Sequence, residues 1–584
     1  MCNFRKLWLL FAGDPLRQVP QLFLDLTDTK HQLLGVALSF TPSRERVILD
    51  LPAWTPGSYL IRDYVSRLEG LAAEQEGRPC PMQRIGVARW QLQVQPASEL
   101  RLTYRILARE CTVRTAHLSG DHGFLPLAAV VLEVEGERWA PWRLQLSLPP
   151  GWSPFLALPA DPSGGWIAAS FDQLIDTPIE AGPFPEHRFS VAGVPHRWVC
   201  WGEDLASSDP RWLADVAAVC EACCRLMGEP VPAASNYLFI LHLLDQGYGG
   251  LEHDNSSVLQ FGRHSLAGAA GRRQLLQLLA HEYLHQWNVR RLRPAELAPV
   301  AYGQPSVLPT LWFAEGVTSY FDQLLPLMAG VSDEAGVLEE LEKDLSRYLS
   351  TPGRRVQSLR QSSEEAWVKL YRQDAAAPDQ QISYYLKGAV LALVLDLHLR
   401  RQGSSLAAVL QQLWRRFGRQ GRGYQERDLI AAFAEPAPDL AELLPIWLES
   451  HEDPPLSSYL ADVGLVLQPE AASHPYTGLV LESSPAMAMV VRRVARQSPA
   501  AAAELLAGDE LLALDGERLR SAESLQALCR QGEPQQLLFC RDGRIRQSLL
   551  TPAAPERQRW RLHSVAEAPA SVLERRRRWL EVVA

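Results

Sequence analysis

The sequence of 584 residues lacks several features that would assign it to a class at once. It contains no run of about 20 apolar residues, the length that a membrane-spanning helix needs, so we expect no membrane span. Its net charge of -9 provides no electrostatic case for nucleic-acid binding. Lysine is scarce, with 5 residues against 53 arginines, which we attribute to genome composition. No segment is repeated in tandem.

The nine cysteines also lack a pattern, because their number is odd and no spacing recurs. They therefore predict free thiols in a reducing compartment, not a disulfide framework. Cys220, Cys223 and Cys224 lie close together, but their apolar surroundings predict a buried helix face. The apolar run at residues 7–12 is short for a signal peptide, and no convincing cleavage site follows it. We expect a cytoplasmic protein, with export left open.

Hydrophobic periodicity divides the chain into regions that predict a multidomain α+β fold. Residues 1–178 show short alternating segments between turn residues, which predict a β-rich domain. Residues 179–452 change to helical spacing and form the expected catalytic domain. The predicted strands include residues 36–40, 47–51, 90–94 and 102–107. The predicted helices cover residues 212–227, 272–290, 310–328, 334–349, 383–401 and 406–417.

Residues 453–556 return to β signals and resemble the PDZ family. A short helix, a turn, an apolar strand and the Asp515-Gly516 turn follow one another there, and Asp542-Gly543 predicts a second hairpin. The loop at residues 476–479 could present backbone N–H groups to a peptide C-terminus, although a purely structural or autoinhibitory role is also open. The tail, residues 557–584, predicts a surface helix that docks on the preceding domains.

One motif carries the chemistry: His281-Glu282-Tyr283-Leu284-His285, after an amphipathic run free of proline. On a helix, histidines four residues apart lie on one face and can reach a single Zn²⁺. Glu282, adjacent but not a ligand, can then take a proton from the attacking water and pass it to the leaving amine. Catalytic zinc keeps three protein ligands. A carboxylate is expected as the third, and from the residues alone Glu296 competes with Glu315.

The motif and a following W-x-x-E-G helix with Glu315 resemble the gluzincin aminopeptidases. The 29 residues between His285 and Glu315 are more than these enzymes usually have, which argues for a related family with a longer loop. The segment H-E-Y-L-H-Q-W-N-V-R-R-L-R-P, the segment P-A-W-T-P-G-S-Y at residues 52–59 and the PDZ-like region together resemble the PDZ-bearing glycyl aminopeptidase family. The resemblance spans about residues 20 to 550. It implies a thermolysin-like catalytic domain and Glu315 as the third zinc ligand.

Two further motifs resemble parts of the same enzymes. Gly249, Gly250 and Glu252 occur in G-Y-G-G-L-E-H, which is similar to the segment that lines the substrate cleft. The resemblance implies that Glu252 pairs with the α-amino group of the substrate. Tyr385, in Y-Y-L-K-G, is implied as the hydroxyl that donates to the developing oxyanion, although Tyr384 could exchange roles with it.

The leading hypothesis is a zinc aminopeptidase acting on peptides, with a preference for small N-terminal residues implied by the family name. One alternative is an endopeptidase on the same metal centre, which would require that Glu252 play no part in substrate binding. A PDZ scaffold with an inactive metal site is another, and the intact Glu282 argues against it. Chemistry alone gives residues 52–59 no task beyond a rigid turn between strands.

Overall fold

A computed structural model of the chain describes residues 19–483 and 489–582. The signal-like run at residues 7–12 lies outside the described residues. The chain forms two compact units. The first contains the residues up to Ser306 and the segment Gly418–Gly423, and the second contains Val307–Phe417 and the residues from Tyr424 onward. In the described ranges, none of the helices is both long enough and apolar enough for a membrane crossing.

The first unit opens with a β-rich region, as predicted. Its elements are β1 (Gln21–Asp28), β2 (Leu33–Phe40), β3 (Arg46–Asp50), β4 (Leu68–Gln75), β5 (Arg78–Pro79), β6 (Met82–Gly86), β7 (Arg89–Gln93), β8 (Leu100–Leu107), β9 (Arg109–Thr112), β10 (Thr115–Leu118), β11 (Gly123–Pro126), β12 (Glu133–Val134), β13 (Trp142–Ser147), β14 (Ser153–Phe155), β15 (Trp166–Ala168), helix α1 (Phe171–Ile175) and β16 (Pro178–Gly182). They form three sheets with the orders β15-β13-β1-β2-β8-β4-β5, β14-β16-β11-β10-β9 and β12-β3-β7-β6. The four predicted strands correspond to β2, β3, β7 and β8.

A further sheet in this unit supports the chemistry. Its elements are β17 (Glu186–Val191), β18 (Val194–Trp201), α2 (Leu205–Ser208), α3 (Trp212–Met227), β19 (Tyr237–Leu244), β20 (Tyr248–Glu252), β21 (Ser256–Gly262) and α4 (Gly268–Leu284). The strand order is β17-β18-β19-β21-β20, so β20 is an edge strand. Strand β19 is apolar almost throughout and buried, as expected for a central parallel strand. The three clustered cysteines are buried on α3, as predicted.

The second unit begins with helices. They comprise a π-helical turn (Trp312–Val317), α5 (Thr318–Met328), α6 (Glu334–Leu349), α7 (Leu359–Glu364), α8 (Ala377–Gln380), α9 (Tyr384–Arg401), α10 (Leu406–Arg416), α11 (Glu426–Ala434), α12 (Leu440–Glu449) and α13 (Leu456–Asp462). Helix α6 has the predicted bounds, because Asp333 caps its first turn and its apolar residues are buried at three-to-four spacing.

The second unit ends with the PDZ-like region and the tail. Their elements are β22 (Leu465–Ala471), β23 (Leu479–Ser483), β24 (Met489–Val494), α14 (Pro499–Ala502), β25 (Glu510–Leu514), β26 (Glu517–Arg518), α15 (Ala522–Leu528), β27 (Gln535–Arg541), β28 (Arg544–Leu550), β29 (Arg557–Ser564) and α16 (Ala570–Leu580). Both Asp-Gly hairpins are confirmed, and both of their residues have positive φ, as two-residue hairpin turns require.

The predicted tail helix exists as α16, and it docks within its own unit. Trp579 is buried and its indole N–H donates to the hydroxyl of Tyr320 on α5 at 2.8 Å. The buried Arg576 donates to the carbonyl oxygens of Val463 and Gly464, just before β22. Strand β29 pairs with β22. The tail is thus part of the packed unit.

Candidate active site

Helix α4 places the two motif histidines side by side. The rings of His281 and His285 are perpendicular, with centroids 4.6 Å apart. The helix ends at Leu284, earlier than the predicted Arg290, because the next turns widen: the N–H of Arg290 donates to the carbonyl of His285. His285 still has helical dihedrals, and its N–H donates to the carbonyl of His281 at 3.3 Å. The shared face survives the early helix end.

The tautomer of His285 is set by the chain itself. Its Nδ1 lies 2.6 Å from the carbonyl oxygen of Asn288, and a carbonyl only accepts, so Nδ1 carries the hydrogen. In the neutral ring Nε2 then carries the lone pair that a metal requires. This is the arrangement found for metal-bound histidines, whose other nitrogen donates to a carbonyl or carboxylate. The donor set on α4 therefore fits a transition-metal ion such as Zn²⁺.

The motif carboxylate, Glu282, is buried against an edge strand. A Cβ atom added to Gly250 on β20 would lie 2.3 Å from Oε1 of Glu282, closer than any real contact. Only glycine leaves this space for the carboxylate. The preceding Gly249 has φ +153 and would place a Cβ in open space. Gly250 therefore makes room for the Glu282 side chain, whereas Gly249 borders open space.

Glu252, at the end of β20, joins the same group of side chains. One oxygen of Glu252, one of Glu282 and a ring nitrogen of His285 all lie within 4.8 Å of one another. The Glu252 side chain is only 3% exposed, and its Oε1 has no hydrogen-bond partner among the described residues. Two carboxylates in such a dry position repel one another and require cationic partners.

An arginine that interacts with Glu252, Arg290, is also engaged by two other acids. Arg290 donates to Asp254 at 2.9 Å and lies 2.8 Å from Asp176. Burial by itself would lower the pKa of Arg290, but Asp176, Asp254 and Glu252 together raise it well above its usual range. Three carboxylates thus share one guanidinium.

In the second unit, a pair of glycines brings Glu315 and Tyr385 together. Glu315 is buried on the π-helical turn, a local geometry often found at functional sites. A Cβ on Gly316 would lie 2.5 Å from the Cα of Gly388 on α9, so the two helices touch through their glycines. Tyr385 lies one turn before Gly388. Burial first, and then the negative charge of Glu315, raise the pKa of Tyr385 well above its usual value, so the phenol stays protonated.

The two neighbouring tyrosines of α9 differ in exposure. Tyr384 is fully buried, whereas Tyr385 keeps part of its surface exposed. The hydroxyl of Tyr371 lies 3.1 Å from that of Tyr384 and 3.0 Å from that of Tyr385. The lysine that follows them, Lys387, is buried and donates to three backbone carbonyls, which makes it a structural residue.

Sequence reasoning missed a second buried cluster in the first unit. His122, Glu180 and His242 are fully buried, and Glu180 lies 2.7 Å from one imidazole and 2.9 Å from the other. Their spacing suits a metal ion. However, an ionised carboxylate only accepts, so Nε2 of His242 must donate to it and cannot bind a metal. No local pattern could reveal this cluster, because its members come from three distant strands or turns.

Sequence reasoning also gave too little weight to residues 52–59. This loop lies against the acid group described above, and Gly57 touches the carboxylate of Glu252. The P-G-S-Y pattern signalled a tight turn, and only the tertiary structure shows what the turn contacts.

Comparisons with known proteins agree with this arrangement. Residues 274–391 match the model of the M61 glycyl aminopeptidase, residues 21–183 match the M61 N-terminal domain, and residues 490–539 match a PDZ domain. Together they define a PDZ-bearing metallopeptidase. An aminopeptidase N family protein from Idiomarina loihiensis is 30% identical over 96% of this chain and 100% of that chain, with a TM-score of 0.89. The chain belongs to the M61 glycyl aminopeptidase family, which confirms the predicted family and fold class.

Other solved structures are more distant. A mutant M1 zinc metallopeptidase from Deinococcus radiodurans is 15% identical over 75% of this chain and 95% of that chain, with a TM-score of 0.48. Yeast LTA4 hydrolase in complex with bestatin is 14% identical over 75% of this chain and 68% of that chain, with a TM-score of 0.47. No curated protein matches the chain.

Proposed function

We propose that this metallopeptidase is a zinc aminopeptidase that removes small N-terminal residues, such as Gly or Ala, from peptides. The observation that carries the proposal is Glu252, a buried carboxylate beside Glu282 and His285 with one oxygen that lacks a partner among the described residues. A free α-ammonium group is the cation that an exopeptidase would bind there. A charge pair at a fixed distance from the reacting bond selects the first residue of a chain.

His281, His285 and Glu315 would hold the zinc ion, two nitrogens and one carboxylate being the usual ligands of a hydrolytic site. Bound zinc supplies Lewis acidity, which polarises the scissile carbonyl and lets water be deprotonated near neutral pH. Glu282 takes the proton of the attacking water and returns it to the leaving amine. Tyr385, kept protonated by its surroundings, donates to the developing oxyanion.

The edge strand β20 would bind the substrate backbone. An edge strand presents N–H and C=O groups that an extended peptide can pair with. Gly249 and Gly250 lie on this strand, one beside open space and one against Glu282. An N-terminal residue bound along this strand would lie between Glu252, which would bind its ammonium group, and the general base Glu282.

The PDZ-like region would bind a peptide C-terminus along its own edge strand β23, next to the loop at residues 476–479. Titration with a peptide carrying a free C-terminal carboxylate and with its amide tests this. Equal affinity for the carboxylate and the amide would indicate that the region has only a structural role.

The main experiment compares matched peptides with a free or an acetylated N-terminus, using wild type and Glu252→Ala. Acetylation removes the charge of the substrate, and the substitution removes its partner. Each change should therefore suppress cleavage by orders of magnitude, and the two together should add little.

The control is the zinc content, which should be unchanged in Glu252→Ala. Internal cleavage of acetylated peptides at full rate by both proteins would reject the aminopeptidase and favour an endopeptidase on the same metal centre. Loss of all turnover without a metal would be uninformative, so each protein is assayed at verified zinc stoichiometry.

A further inference from the structure

The loop at residues 52–59 is fastened to the segment that follows the metal helix. Trp54 is fully buried, and its indole N–H donates to the carbonyl oxygens of Ala301 at 2.8 Å and Gln304 at 3.0 Å. The backbone N–H of Ala53 donates to the carbonyl of Tyr302 at 2.8 Å. These bonds anchor the start of the loop to residues 301–304 within the first unit.

At the tip of the loop, Gly57 has φ +83 and faces the side chain of Glu252. A Cβ on Gly57 would lie 2.4 and 2.6 Å from the two carboxylate oxygens of Glu252. Such distances are far below van der Waals contact, so any other residue would displace the carboxylate. Both acids of the site are thus seated against a glycine: Glu282 against Gly250, and Glu252 against Gly57.

A cavity of about 260 Å³ lies beside this contact. Its lining includes Gly57, Tyr59, Asp176, Glu252 and Arg290. It does not include Glu282 or His285. A Glu252 carboxylate pushed away by a methyl group at position 57 therefore has space to move into, toward Arg290. We expect such a protein to fold with its carboxylate in the wrong place.

We infer that Gly57 is a positioning residue for substrate recognition: the absence of its side chain holds Glu252 where the ammonium group of the substrate must bind. The inference rests on the proposed function of Glu252. It gives the loop at residues 52–59 a task in the reaction, as the wall of the amine-binding subsite.

The test uses a matched pair of variants. Gly57→Ala and Gly151→Ala both place alanine at φ +83, but a Cβ at Gly151 meets nothing within 4 Å. Backbone strain is therefore common to both, and only Gly57→Ala disturbs Glu252. A displacement near 1 Å can cost about 100-fold in rate. We expect kcat/KM on free-amine peptides to fall about 10- to 100-fold in Gly57→Ala, mainly through KM, and to stay near wild type in Gly151→Ala.

A double-mutant cycle makes the assignment specific. Glu252→Asp shortens the side chain by one methylene and should restore part of the activity of Gly57→Ala. In a Glu252→Ala background, Gly57→Ala should have no further effect on kcat/KM. Equal losses in Gly57→Ala and Gly151→Ala, or undiminished loss in the Glu252→Ala background, would overturn the inference.

The outcomes also separate this inference from the proposed function. If Glu252→Ala leaves cleavage of free-amine peptides intact, the proposed function fails. If Glu252→Ala is impaired but uncoupled from position 57, only the inference fails. Should Gly57→Ala not fold, the Gly57→Ala/Glu252→Ala protein should fold, because removal of the carboxylate relieves the contact. If neither the single nor the double variant folds, the contact between position 57 and Glu252 is not the cause of the folding defect.

Discussion

The first unit contains two buried groups of histidine and glutamate that look alike by composition but differ in where the imidazole hydrogens lie. At His285, Nδ1 donates to a backbone carbonyl, so Nε2 carries the lone pair of the neutral ring, and a ring nitrogen lies within 4.8 Å of oxygens of Glu252 and Glu282. At His242, Nε2 donates to Glu180. The imidazole of His285 thus has a nitrogen lone pair that suits a metal ion, whereas the same nitrogen of His242 carries a hydrogen.

The difference shows that the partner of an imidazole decides its chemistry. Burial by itself would lower the pKa of His242, but the charge and hydrogen bonds of Glu180, together with Cys111, raise it to about 9. The result is a buried cluster in which the Glu180 carboxylate lies between two imidazoles and holds the hydrogen of His242 Nε2. The group around His285 instead brings two buried acids, Glu252 and Glu282, near one another, and buried carboxylates are stable only beside positive charge.

The largest expected effect is on the metal. His285→Ala should lose bound zinc and activity together, because one of the proposed zinc ligands is removed. His242→Gln should keep about one zinc ion per chain and keep turnover in its folded fraction. Elemental analysis of both proteins after gel filtration measures this. Zinc loss in His242→Gln would show that our assignment of the two groups is reversed.

The next effect concerns the two glutamates. Glu282→Gln should retain zinc and lose about 10²- to 10⁴-fold in kcat, because an amide cannot accept the proton of the attacking water. Glu180→Gln should lower the melting temperature with little change in kcat per folded molecule. Steady-state rates normalised to zinc content give the comparison. A kcat loss in Glu180→Gln as large as that in Glu282→Gln would contradict it.

The tyrosines of the second unit offer a smaller contrast. Tyr385→Phe should reduce kcat about 10²- to 10³-fold with little change in KM, the cost of losing one oxyanion donor. Tyr384→Phe should stay within a fewfold of wild type, because Tyr384 is fully buried, whereas Tyr385 keeps part of its surface exposed. The opposite result would make Tyr384 the donor.

The smallest effect is on the pH dependence of stability. The pKa of His242 is about 9 in the folded protein and near 6.5 when unfolded. Its ion pair therefore contributes fully below pH 6.5, declines as pH rises, and is lost above pH 9. Between pH 6.5 and pH 9, the free energy of unfolding of wild type should fall by roughly 3 kcal/mol more than that of His242→Gln. Urea denaturation of both proteins at several pH values measures this difference. The contributions of the other titrating groups are common to both proteins and cancel in it. Parallel pH profiles would exclude a raised pKa at His242.

Much of the local structure could be predicted from the sequence. The four-residue spacing of His281 and His285 required one helical face, and the Asp-Gly pairs required hairpins with positive φ. The family also followed from the motifs. The division into domains at residues 178, 452 and 556, and the ligand role of Glu315, remain predictions.

The sequence by itself determined which helix carries His281, Glu282 and His285, because those relations are local and follow from helix periodicity. Only the tertiary structure decided that Gly57 touches Glu252, that Gly250 makes room for Glu282, and that Glu180 joins His122 to His242. These residues are far apart along the chain, and no local pattern states which loop packs on which strand. The tautomers of His285 and His242 were decided in the same way, because each depends on a partner that folding brings to the ring.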